Sequence, residues 1–120
     1  MTIGEMSRRV NLPESTLRYY EKKGLLLVSR DRNGRRVYGE EDAAWIQFIR
    51  RLKETGMPLG DIRRYSDLRY RGEATMPQRL EMLEAHRTRV LEQQRRWADC
   101  LENLDAKITL YQRAIKGREA

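Results

Sequence analysis

The chain has 120 residues, with 25 Lys and Arg against 18 Asp and Glu, for a formal net charge of +7. That length bounds it to one domain, or one small domain with an extension. Charged residues make up 36% of the sequence and no apolar run is longer than Leu25-Leu26-Leu27-Val28, far short of the roughly 20 residues a membrane-spanning helix needs.

The first residues place Glu5 ahead of Arg8 and Arg9 and lack the apolar stretch of a signal peptide, so a cytoplasmic location is expected. The charge is unevenly spread: residues 1–72 hold 16 basic and 10 acidic side chains, residues 73–120 hold 9 and 8. A basic excess on the N-terminal part attracts phosphate through counterion release, which makes nucleic acid the leading partner class. One cysteine, Cys100, and one histidine, His86, supply neither a disulfide framework nor a thiolate metal cluster within the chain. No metal or other cofactor is expected. His86 is expected on the surface of a helix.

In chain order, Thr2 and Glu5 form a capping-box pattern for a first helix, with Ile3, Met6 and Val10 at helical spacing on its inner face. Asn11-Leu12-Pro13 breaks that helix, and Pro13 suits the start of a second running to about Lys23. Leu17 and Tyr20 share its buried face, which leaves Ser15, Thr16, Arg18 and Tyr19 to point elsewhere; Gly24 ends it. A helix that enters a major groove presents just such donors and flat polar rings on one face and buries leucine on the other.

Asn33-Gly34 between two strand-like runs signals a hairpin, because both residues tolerate positive φ. Arg30, Arg32, Arg35 and Arg36 crowd it. Folding gains nothing from four like charges at a tip, whereas nearby phosphates would account for them. Glu40, Glu41 and Asp42 open a third helix at the positive end of its dipole, and Trp45, Ile46, Phe48, Ile49 and Leu52 give it a broad core face. Thr55-Gly56-Met57-Pro58 separates it from a fourth, with Leu59, Ile62 and Tyr65 inward, and Arg71 to Thr75 reads as a polar hinge.

From Met76 onward, Leu80, Leu83, Arg87, Val90, Gln94, Trp97, Leu101, Leu104, Ile108, Tyr111 and Ile115 continue an alternation of four and three without a slip. Five heptads argue a coiled-coil helix of roughly 40 residues, about 60 Å long. Its seam needs a partner, and a second copy is the obvious one. The dimerisation residues expected are Leu80, Leu83, Val90, Trp97, Leu101, Leu104, Ile108 and Tyr111. The expected domains are 1–72, which contact DNA, and 73–120, a dimerisation helix with a short tail.

The chain resembles the MerR family of transcriptional regulators. The resemblance rests on Thr2-Ile3-Gly4-Glu5, Thr16-Leu17-Arg18-Tyr19-Tyr20-Glu21, Gly24-Leu25-Leu26, Asn33-Gly34-Arg35-Arg36-Val37-Tyr38, Glu41-Asp42 and Ile49 to Met57, in order and spacing, followed by the long helix. It implies a mainly α fold: a winged helix-turn-helix followed by a long dimerisation helix in an antiparallel coiled coil. It implies a homodimer on a pseudo-palindromic promoter site whose polymerase elements lie too far apart. The inducer-bound dimer bends and untwists that DNA, so RNA polymerase is a partner indirectly, through the promoter.

By position, the resemblance implies base and phosphate contacts from Ser15, Thr16, Arg18 and Tyr19, and backbone contacts from Arg35 and Arg36, with Tyr38 at the wing's exit a further candidate. Arg18 is equally suited to a guanine edge or a phosphate. Glu14 is an acid close to this face. The inducer stays open. Metal-sensing relatives place cysteines near residues 72–76 and 116–120, where this chain has none. Drug-sensing relatives append a ligand domain about where this sequence stops, so the short branch without one is expected. A frequent thiol of the aldehyde-responsive branch falls at Arg51 and is missing, which leaves Cys100 as the candidate redox or electrophile sensor. An excisionase-like architectural DNA-binding protein built on the same winged helix, acting without an inducer, is the alternative.

Overall fold

The computed structural model describes residues 1–119. Five helices and one two-stranded hairpin follow in the order α1 (Ile3–Val10), α2 (Glu14–Lys22), β1 (Ser29–Arg30), β2 (Arg36–Val37), α3 (Glu40–Glu54), α4 (Leu59–Arg71), a 3₁₀ turn (Glu73–Thr75) and α5 (Met76–Glu119). The chain divides into two compact units, Met1–Met82 and Leu83 onward. No helix among the described residues is long and apolar enough to cross a membrane.

α1 starts where the capping box places it. The Thr2 hydroxyl accepts from the Glu5 amide and the Glu5 carboxylate from the Thr2 amide, both at 3.1 Å. Hydrogen bonding of the Glu5 carboxylate to the Thr2 backbone amide first, and to the Thr2 hydroxyl second, holds that carboxyl below its ordinary range. Asn11 closes the helix in the left-handed region at φ 55°, which a short polar side chain tolerates. Pro13 then caps α2, as a residue whose missing N–H is no loss there.

The core of the first unit joins α1 to α4. Met6, Val10, Leu17, Leu25, Leu26, Ile46, Ile49 and Ile62 are all at most 1% exposed. Trp45 stacks on Tyr65 with ring centroids 5.7 Å apart. The Trp45 indole N–H and the Ser66 hydroxyl both donate to the Leu25 carbonyl at 2.8 Å. Two buried donors thus meet one buried acceptor with two lone pairs, and α3 and α4 are tied to the segment that follows α2.

Three expectations are corrected here. The segment after Arg71 is a braced corner and not a hinge. Thr75 is buried and its hydroxyl bonds the carbonyls of Leu68 (2.6 Å) and Gly72 (2.8 Å), while Arg79 reaches back to the Thr75 hydroxyl (3.0 Å) and the Gly72 carbonyl (3.2 Å). The tail after Ile115 continues α5 through Glu119, making a helix of 44 residues, about 66 Å at 1.5 Å per residue. His86 is buried, at 7% exposure. It lies off the four-three seam, so the heptad pattern gave no sign of it.

In the second unit the seam lies open on the single chain from Trp97 onward, with Leu83 and Val90 half-buried. Trp97, Leu101, Leu104, Ile108, Tyr111 and Ile115 are 45 to 67% exposed.

Candidate nucleic-acid interface

α2 splits its residues by spacing. Leu17 and Tyr20 are buried three residues apart, and Ser15, Arg18 and Tyr19 face outward with Thr16 half-buried. Glu14, one turn before Arg18, pairs with its guanidinium at 3.3 Å. Both side chains are about half exposed, so the pair adds little stability. Its effect is to hold Arg18 along the helix. Tyr19 is flanked by two ammonium groups: Lys53 Nζ lies 5.0 Å from its ring centroid and Lys23 Nζ 5.7 Å. Lys53 is also 5.3 Å from the Tyr20 ring, so the end of α3 reaches the outer face of α2.

The hairpin differs from the expected two-residue turn. Arg30 pairs with Arg36 and Ser29 with Val37, and the Asp31 amide donates to the Arg35 carbonyl. Three residues remain in the loop. Gly34 alone takes positive φ, at 75°, while Asn33 does not. The Asp31 carboxylate accepts from the amides of Asn33 (2.8 Å) and Arg35 (3.0 Å). This side-chain-capped turn needs the left-handed conformation only at its last residue, the three-residue hairpin alternative to the primed turn.

The four hairpin arginines are not equivalent, which corrects the expectation that folding gains nothing from them. Glu21 on α2 accepts from Arg36 Nε at 2.7 Å and from Arg30 Nη2 at 3.1 Å. The Arg36 bond raises that guanidinium's already high pKa further. Arg32 and Arg35 are exposed and make no salt bridge among the described residues. A cleft of about 290 Å³ beside the start of α1 is lined by Thr2, Ile3, Arg30, Gly34, Arg35 and Arg36.

Tyr38 is corrected outright. Expected as a DNA contact, it is 1% exposed, with its hydroxyl buried. Burial pushes its phenol above the ordinary range, opposed by the nearby Arg36 charge. The backbone explains this: Tyr38 exchanges hydrogen bonds with Met1 at 2.6 and 2.8 Å, which turns its side chain into the core. Sequence reasoning passed over Glu21 and Lys53 as working parts. The available signal for Glu21 was that it is the one acid between Glu14 and Asp31. On α5, Cys100 is exposed, and among the described residues no cluster of His, Cys, Asp or Glu is arranged to hold a metal ion.

An exposed polar helix face, braced by a helix-turn-helix and flanked by an arginine-bearing wing, defines a winged-helix DNA-binding protein. Comparison with known proteins narrows the class. Residues 1–68 match the MerR HTH family regulatory protein domain and residues 43–107 the MerR DNA-binding region. The chain is 33% identical to an HTH-type transcriptional regulator of Haemophilus influenzae, over 94% of this chain and 84% of that protein. It is 36% identical to the transcriptional regulator AdhR of Bacillus subtilis, over 77% of this chain and 66% of that one. Among solved structures it is similar to HiNmlR, a MerR family regulator lacking the sensor domain, bound to promoter DNA, with a TM-score of 0.83, 33% identity and coverage of 94% and 90% of the two chains. A Listeria monocytogenes MerR family structure gives 0.87 at 32% identity, over 93% and 86%. The chain belongs to the MerR family and is a DNA-binding transcriptional regulator.

Proposed function

We propose that this protein regulates transcription as a homodimer joined along the α5 seam, each copy placing α2 in the major groove of one half of a two-fold symmetric promoter site. The observation that carries the reading is the division of α2: Leu17 and Tyr20 sit in the core while Ser15, Arg18 and Tyr19 stand outward, on the helix to which the wing is fastened. Ser15, Thr16, Arg18 and Tyr19 are the base and phosphate contacts, and Arg35 grips backbone from the wing, while Arg36, bonded to Glu21, holds the wing in place. Residues 1–72 contact DNA and residues 73–120 bring two copies together through Leu80, Leu83, Val90, Trp97, Leu101, Leu104, Ile108 and Tyr111. RNA polymerase is engaged through the deformed promoter. The protein works in the cytoplasm, by binding rather than by catalysis, and Cys100 is the thiol available to an oxidant or electrophile.

Selection of random duplex DNA at physiological salt tests this. A two-fold symmetric motif is expected. An unenriched pool bound only at low salt would instead favour an architectural role. On the selected site, Arg18→Ala should cost about 1–3 kcal/mol if the guanidinium reads a base, with an unchanged melting temperature.

A further inference from the structure

The two strands of the wing are two residues each, and a ladder that short does not hold itself in place. The pair next to the turn is Arg30 opposite Arg36, two like charges directly across a strand pair, an arrangement that destabilises a hairpin. Glu21 resolves this from outside the sheet. One carboxylate oxygen accepts from Arg36 Nε at 2.7 Å and the other from Arg30 Nη2 at 3.1 Å. Arg30 also donates through Nη1 to the Gly34 carbonyl at 3.2 Å, which carries the connection to the turn. A single side chain of the recognition helix therefore fastens both strands and, through Arg30, the tip.

A carboxylate beside a DNA-binding face opposes phosphate by its charge. What it supplies in return is geometry. We propose that Glu21 is the positioning residue that locks the wing to α2, so that the exposed Arg32 and Arg35 and the outward face of α2 meet DNA as one rigid unit. Its contribution is to discrimination between the operator and other DNA rather than to binding as such. A wing released from Glu21 meets any phosphate, and a wing held by it meets only those in register with the bases under α2.

The inference rests on the proposed function, and one experiment separates the two. Wild type, Glu21→Gln and Glu21→Asp are titrated with the selected operator and with random duplex of equal length over a range of salt, alongside thermal unfolding. Glu21→Gln removes the charge at nearly constant shape. It should weaken operator binding by roughly tenfold, the scale of one mismatched base pair. Random-duplex affinity should hold or rise, with a steeper salt dependence, because a repelling charge is gone and two arginines are released. Glu21→Asp keeps the charge and shortens the reach, so it should lose part of the discrimination with random-duplex affinity unchanged, and it carries the test if Glu21→Gln does not fold. Equal losses on both DNAs would overturn the latch, as would an aspartate variant that behaves as wild type. A wild-type protein that fails to discriminate overturns the proposed function and the latch together.

Discussion

The first unit and the distal helix solve the same problem in opposite ways. Met1–Met82 buries its large apolar side chains against one another, with Leu17, Leu25, Ile46, Ile49 and Ile62 at 0% exposure. From Leu83 onward the apolar residues lie along a single helix, and Leu101 and Leu104 are each 58% exposed. One unit is a finished core. The other is half of one, and a helix with an exposed seam takes most of its stability from whatever covers it. The difference teaches where each kind of substitution will be felt.

The largest effect is expected inside the first unit. Ile46→Ala should lower the stability of that unit by about 2–5 kcal/mol, the cost of a buried cavity, as read by thermal unfolding, with self-association intact wherever the unit stays folded. A seam change should do the reverse. Leu104→Asp should weaken self-association by about 2–3 kcal/mol in sedimentation equilibrium, because each copy would carry an unpaired carboxylate into the interface. The first unit should melt as before. Wild-type α5 should melt at a temperature that rises with protein concentration, and a concentration-independent transition would break the comparison.

Smaller effects sharpen it. Thr2→Ala removes the cap of α1 and should cost about 1 kcal/mol, confined to the first unit. The cap is also acid-sensitive: Glu5 titrates below its ordinary range, so its contribution is present above that range and is lost as the pH falls through the lowered value. The smallest effect belongs to Cys100. If two antiparallel copies cross near the midpoint of residues 76–115, their Cys100 residues lie roughly 13 Å apart along the axis, beyond the ~7 Å a disulfide allows. Oxidised protein should therefore show no Cys100-dependent dimer band on a non-reducing gel, and Cys100→Ser should leave association unchanged.

Much of the site was legible in advance because helical spacing is a local property. Leu17 and Tyr20 three apart oblige Ser15, Arg18 and Tyr19 to the other face, and the fold keeps that division. The wing was legible as a hairpin and misread in its details. Asn33-Gly34 is a sound turn signal, yet the Asp31 carboxylate, two residues earlier, caps the loop and leaves only Gly34 at positive φ. Tyr38 was misplaced because its direction depends on pairing with Met1, 37 residues away.

The sequence by itself determined the helices, their caps, the apolar faces and the four-three seam, since each follows from residues within a turn or two of one another. It also determined the family, through motifs of the same short range. Tertiary structure alone decided which arginines are spent on Glu21 and which stand exposed, that Tyr38 turns inward and that Thr75 braces a corner. Those outcomes depend on groups meeting across loops and between helices, where a charge or a hydroxyl takes whichever partner the packing brings within about 3 Å.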